Sequence, residues 1–164
     1  ALLGATWLVM RTTGELAERA RHYALLAAVA TVAAMGAVSL WTPFLQPDYL
    51  DRWFRYPTAL YTVIVPLLVI GCFLIIVNGL QNKRDTRPFL AALGLFLIAY
   101  IGIGISFYPY MIPTSVTIWD AAAPESSLKF LLIGAVVLVP VILAYTAYSY
   151  WVFRGKVDPE EGYH

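Results

Sequence analysis

Four stretches of this chain, Tyr23 to Trp41, Thr58 to Asn78, Phe89 to Tyr108 and Leu131 to Phe153, contain no Asp, Glu, Lys, Arg or His. Crossing a bilayer as a helix takes about 20 apolar residues at about 1.5 Å of rise each. A charged side chain at mid-bilayer costs roughly 2.5–3.5 kcal/mol on insertion scales, so four such runs read as four transmembrane helices. Composition agrees: the 164 residues are 60% hydrophobic and 13% charged. A soluble domain carries about 25% charged and about 45–50% apolar residues. The mean hydropathy is +0.72. Part of the chain has lipid as its solvent.

Breakers and charges separate the runs: TPFLQPDYLDRWFRYP, NKRDTRP and YPYMIPTSVTIWDAAAPESSLK. Ahead of them, ALLGATWLVM is apolar for only ten residues and lacks the basic start and cleavage site of a signal peptide. The chain is expected to open partway along a helix, as the C-terminal part of a longer polypeptide. The expected architecture is all-α and polytopic: one transmembrane domain over 1–164, with the end of a helix at 1–10, a bundle of spans near 23–41, 58–78, 89–108 and 131–153, and a tail at 154–164.

The positive-inside rule orients it. Arg11, Arg19, Arg21, Lys83, Arg84, Arg87, Arg154 and Lys156 fall on one side, against Arg52, Arg55 and Lys129 on the other. The first loop, NKRDTRP and the C-terminus are therefore expected in the cytoplasm. Trp41, Trp53, Tyr56, Tyr108, Tyr110 and Trp119 suit an outer aromatic belt, and Tyr148, Tyr150 and Trp151 an inner one. PDYLDRWFRY reads either as a short amphipathic helix lying on the outer surface or as a loop with aromatic anchors.

Small residues recur at helical spacing: Ala20, Ala24 and Ala28, then Ala30 and Ala34, and later Gly94, Gly102 and Gly104. They let helix backbones approach closely where lipid supplies no hydrophobic push. Pro66 and Pro140 should kink their spans, as shape or as a site. Tyr145, Thr146 and Ser149 form a hydroxyl stripe that either bonds to a neighbouring helix or lines a polar path.

Chemistry is sparse. The net charge of +1, without a basic cluster, excludes a nucleic-acid partner. Cys72 alone cannot make an internal disulfide or a thiolate metal site. Haem in a bundle needs axial His or Met. His22 lies at the edge of a span, His164 is the last residue, and Met35 is the one methionine deep in a span. No ionisable group sits within a span, which counts against an ion-driven carrier. In RTTGELAERAR, Thr12 or Thr13 can cap a helix, Glu15 suits its positive N-terminus, and Arg19 and Arg21 can reach anionic headgroups. Asp120 either caps a turn or pairs with Lys129, or it has a functional role; Ser126 or Ser127 can cap the last span.

Three segments, GATWLVMRTTGELAERAR, FYPYMIPTSVTIWDAAAPESSLKFLLIGA and PVILAYTAYSYWVFRGKV, together resemble the C-terminal half of subunit II of cytochrome bd-type quinol oxidases, close to the cyanide-insensitive branch. The resemblance implies a subunit of a bacterial plasma-membrane terminal oxidase that oxidises quinol and reduces oxygen to water. It implies b- and d-type haems in a partner, subunit I, with no haem, metal or catalytic residue in this segment. Quinol is the implied substrate of the complex, a bound quinone occurs in some members, and small accessory membrane subunits are further candidate partners. Gly4, Thr6, Arg11, Gly14 and Glu15 of the first segment and Trp119 and Asp120 of the second match its motifs and are the candidate structural or interface residues. The alternative is a small transporter or half-carrier acting as a dimer, which would move solute in vesicles without a partner.

Overall fold

Helix formation begins at once and is interrupted where a threonine–glycine pair intervenes. The computed structural model describes residues 1–45, 56, 58–112 and 115–155. Helix α1 (Leu2–Arg11) ends at Thr12, which turns extended at φ −116° and ψ 165°. The Thr12 N–H donates to Leu8 O at 2.9 Å and its hydroxyl to the same carbonyl at 2.7 Å. Thr12 thus closes the first helix rather than opening the second, by satisfying a carbonyl that the last turn leaves over. Gly14, at φ +63°, supplies the left-handed backbone from which α2 (Gly14–Leu45) departs.

Beyond α2 come α3 (Thr58–Gln81) and α4 (Thr86–Phe107), joined by a four-residue turn. Lys83 takes φ +52° there, and the Arg84 N–H reaches back to Gly79 O at 2.9 Å. That is the six-to-one bond of a Schellman ending, with lysine where glycine is usual. The last helix is α5 (Glu125–Val152). Four of these helices are long and apolar enough to cross a membrane, in the stretches Gly14–Thr42, Val63–Gln81, Thr86–Phe107 and Glu125–Val152. At about 1.5 Å per residue α2 is about 48 Å long, more than a hydrocarbon core of about 30 Å, so its charged first turns can extend beyond lipid. The expected four spans are all present, preceded by the short apolar helix α1. Helix α3 continues through Pro66 and α5 through Pro140.

The described residues fall into two compact units, Ala1–Ile103 and Gly104–Gly155. In the first, Ala20, Ala24 and Ala28 of α2 are buried with Leu2 and Val9 of α1, Val69, Ile76 and Leu80 of α3, and Ala91, Ala92 and Leu95 of α4. The first alanine stripe is therefore the packing face, whereas Ala30 and Ala34 are exposed. Helices α3 and α4 approach through glycine: a Cβ on Gly102 would lie 3.3 Å from Val65 Cγ1, and one on Gly94 3.6 Å from Cys72 Sγ. Gly104 has nothing within 4 Å.

The second unit holds the end of α4, a hairpin and α5. Strands β1 (Tyr110–Ile112) and β2 (Val116–Thr117) pair antiparallel, Tyr110 opposite Thr117 and Ile112 opposite Val116, with an irregularity between. The periodicity of the sequence shows no sign of this hairpin. Helix α5 starts behind Pro124, whose carbonyl accepts from the Ser127 and Leu128 N–H groups at 2.9 and 3.1 Å. Ser126 and Ser127 lie inside the first turn and do not cap it: the proline, at φ −50° and ψ 146°, occupies the N-cap position with no side-chain bond. The outer segment 47–56, read as a helix or an anchored loop, lies outside the described residues except for Tyr56.

Candidate functional site

The charges of the first loop and of the α3–α4 turn meet at one end of the first unit. Glu18 and Arg21 lie one turn apart near the start of α2, so their side chains share a face. One Arg21 nitrogen, Nη1, contacts Glu18 Oε1 at 2.9 Å, and the other, Nη2, contacts Asp85 Oδ1 at 2.7 Å. Lys83 Nζ lies 3.0 Å from that same Glu18 oxygen. The side chains of Arg21 and Asp85 are only 15% and 17% exposed, against 56% for Glu18 and 70% for Lys83. The four groups sum to zero charge. They fasten the beginning of α2 to a turn more than sixty residues away.

The sequence alone points Arg19 and Arg21 toward lipid headgroups and does not disclose this cluster. Both are paired within the chain instead, Arg19 with Glu15 at 2.6 Å and Arg21 as above. The Glu18–Arg21 spacing was a legible signal for half of it. The link to Asp85 was not, since no local rule pairs residues so far apart.

Among the matched residues, Thr6 is fully buried, and its hydroxyl donates to Leu2 O at 2.9 Å and Leu3 O at 3.2 Å, so it enters the core with its polar group satisfied. A Cβ on Gly4 would meet nothing within 4 Å. The Arg11 guanidinium carbon lies 4.4 Å over the Trp7 ring, which meets Phe89 of α4 edge-on at 5.2 Å. This stack carries a cation on an aromatic face and joins α1 to α4. Gly14 forms the α1–α2 turn, and Glu15, in the first turn of α2, is exposed in its pair with Arg19. These five are brought to α1 and the beginning of α2.

Trp119 and Asp120 belong to the second unit. Trp119 is exposed and meets Tyr108 edge-on at 6.1 Å. Asp120 Oδ2 accepts from the Thr117 hydroxyl at 2.6 Å and from the Thr117 N–H at 3.3 Å. In return the Asp120 N–H donates to Thr117 Oγ1 at 3.2 Å. These bonds hold the carboxyl below its ordinary range, the Thr117 hydroxyl first and its backbone N–H second. Asp120 thus ties off the turn that follows β2. Lys129, expected as its counter-charge, pairs with Glu125 at 2.7 Å, one helical turn away.

Among the described residues no group of three or more His, Cys, Asp or Glu could hold a metal ion. His22 is exposed beside Tyr23, Met35 packs against the hydrophobic cluster, and Met111 is exposed on β1.

The family described as Cytochrome bd terminal oxidase subunit II matches residues 1–153. The chain is 28% identical over 187 residues to the cytochrome bd-I ubiquinol oxidase subunit 2 of Escherichia coli (strain K12), covering 96% of this chain and 49% of that protein. It is 29% identical over 171 residues to the cytochrome bd ubiquinol oxidase subunit 2 of Bacillus subtilis (strain 168), covering 96% and 47%. With the probable cytochrome oxidase subunit 2 of Haemophilus influenzae (strain ATCC 51907 / DSM 11121 / KW20 / Rd) it shares 27% over 188 residues, 94% of this chain and 48% of the relative. The chain spans about half the length of the curated relatives it matches.

Proposed function

Because the chain belongs to the cytochrome bd terminal oxidase subunit II family, we propose that it is the C-terminal half of a haem-free subunit that supports the haem-bearing subunit I of a bacterial quinol:oxygen oxidoreductase. The observation that carries this reading is the character of what is buried. Among the described residues of the first unit the packed face is alanine, valine, leucine and isoleucine, and the buried polar side chains are two threonines, Thr6 and Thr12. Such an interior holds helices together and does not by itself grip iron or relay protons.

The family implies haems in the complex, and the side chains described here do not fit an axial pair. His22 stands exposed among the charges at the start of α2, and Met35 is part of a hydrophobic cluster. An axial ligand has to project from a helix into the core it shares with the haem. Quinol oxidation and oxygen reduction are accordingly assigned to the partner, with this segment as its membrane support and its C-terminus in the cytoplasm.

The test is to purify the full-length parent from bacterial membranes and record the spectrum of what accompanies it. A partner chain with b- and d-type haem bands is expected, together with no Soret band in this subunit once the two are separated. Recovery of the tagged chain alone, with neither haem nor partner, would overturn the oxidase reading. A Soret band retained by the separated subunit would overturn the haem-free part.

A further inference from the structure

Among the described residues, the pairing at the end of the first unit leaves Arg84 and Arg87 without an acid. Glu18, Arg21, Lys83 and Asp85 neutralise one another, and Glu15 neutralises Arg19. Arg84 and Arg87 are exposed and have no acidic partner among the described residues. They sit on one turn, the Arg87 N–H donating to Arg84 O at 3.2 Å, and the Arg84 N–H is itself anchored on Gly79 O at 2.9 Å. The backbone carrying both guanidiniums is thereby set before any ligand arrives. They flank the beginning of α4, whose first turn contains no acid, so the positive end of that helix adds to their field.

Position selects the partner. The turn joins Val63–Gln81 to Thr86–Phe107, both long and apolar enough to cross a membrane, so it lies where hydrocarbon meets water. The anion most concentrated at that depth is the phosphate of a lipid headgroup, and guanidinium matches phosphate with two parallel hydrogen bonds. We propose that Arg84 and Arg87 form a binding site for the phosphate of an anionic phospholipid headgroup. Beside them Arg21 and Asp85 hold each other at 2.7 Å with both side chains largely withdrawn from water, so neither is presented to the phosphate. The site requires only that the chain crosses a membrane, and it stands or falls separately from the oxidase reading.

The test uses the full-length parent complex in nanodiscs, with retained lipid counted by mass spectrometry in mixtures of phosphatidylglycerol and phosphatidylcholine. The intact complex is expected to retain phosphatidylglycerol preferentially. The double variant Arg84→Gln/Arg87→Gln should lose that preference by roughly tenfold or more, and Arg19→Gln, whose cation is already paired, should keep it. Should the double variant fail to assemble, the unmodified complex still decides. Its preference must weaken as salt is raised from about 0.01 to about 1 M, where the screening length falls from about 30 to about 3 Å. Equal retention by the double variant overturns the proposal, as does a preference indifferent to salt. Displacement of the lipid by inorganic phosphate at matched concentration overturns it in favour of a free-anion site. Loss of the partner subunit with lipid retention unchanged overturns it in favour of an acidic protein surface.

Discussion

Single side chains at the charged end differ in weight because they differ in burial. The Glu15–Arg19 pair is 80% and 70% exposed, and exposed pairs contribute about 0–1 kcal/mol. Arg21 and Asp85 are mostly withdrawn from water, so removing one charge leaves the other poorly solvated. Asp85→Asn should therefore lower stability by about 1–3 kcal/mol while Glu15→Gln shifts it by less than about 0.5 kcal/mol, read as thermal midpoints of the purified protein. At the other candidate position the depressed carboxyl of Asp120 fixes the sign of a pH effect. Its ionised form is favoured in the folded turn, so the contribution is present above the unfolded value of 3.8 and is lost as pH falls through the lower folded value. Thr117→Val should raise the Asp120 pKa toward 3.8 and leave the turn unaffected by pH between about 6 and 8; a carboxylate-detected NMR titration in nanodiscs would measure both.

Between elements, the α3–α4 contact rests on residues without side chains. A Cβ at Gly79 would fall 2.8 Å from Pro88 Cδ and 2.9 Å from Pro88 Cγ, ring atoms that cannot swing aside. Alanine favours a helix over glycine by about 1 kcal/mol, but overpacking costs about 1–3 kcal/mol, and here the rigid ring decides for the cost. Gly79→Ala is expected to lower the thermal midpoint, whereas Gly36→Ala, with nothing within 4 Å of the added carbon, should leave it unchanged or raise it. Only the close approach of the chain sets this glycine of α3 apart from that glycine of α2. The same holds for alanine: the sequence shows two equivalent stripes on α2, yet Ala24 and Ala28 are buried and Ala30 and Ala34 are exposed.

For the molecule as a whole, we propose from the lysine and arginine asymmetry that the turn at 82–88 faces the cytoplasm. The structure brings that turn and the start of α2 to a common end through Arg21 and Asp85, consistent with two crossings between them. We predict that a cysteine introduced at Asn82 is labelled by a membrane-impermeant maleimide only after spheroplasts are opened, while one at Ala122 is labelled in intact spheroplasts. Labelling of both from outside would reverse or break the assigned topology.

The order of the crossings and their number among the described residues were legible without coordinates, because lipid demands about 20 uncharged residues per crossing and punishes every exception. The family likeness was legible too, in GELAER, in TIWDAAAPESS and in the segments around them. What no pattern disclosed was the face each helix turns inward. A helix apolar on all sides has no polar face to mark the one that packs. Nor did spacing reveal the Arg21–Asp85 pair or the Tyr110–Thr117 register, since both join residues that only folding brings together.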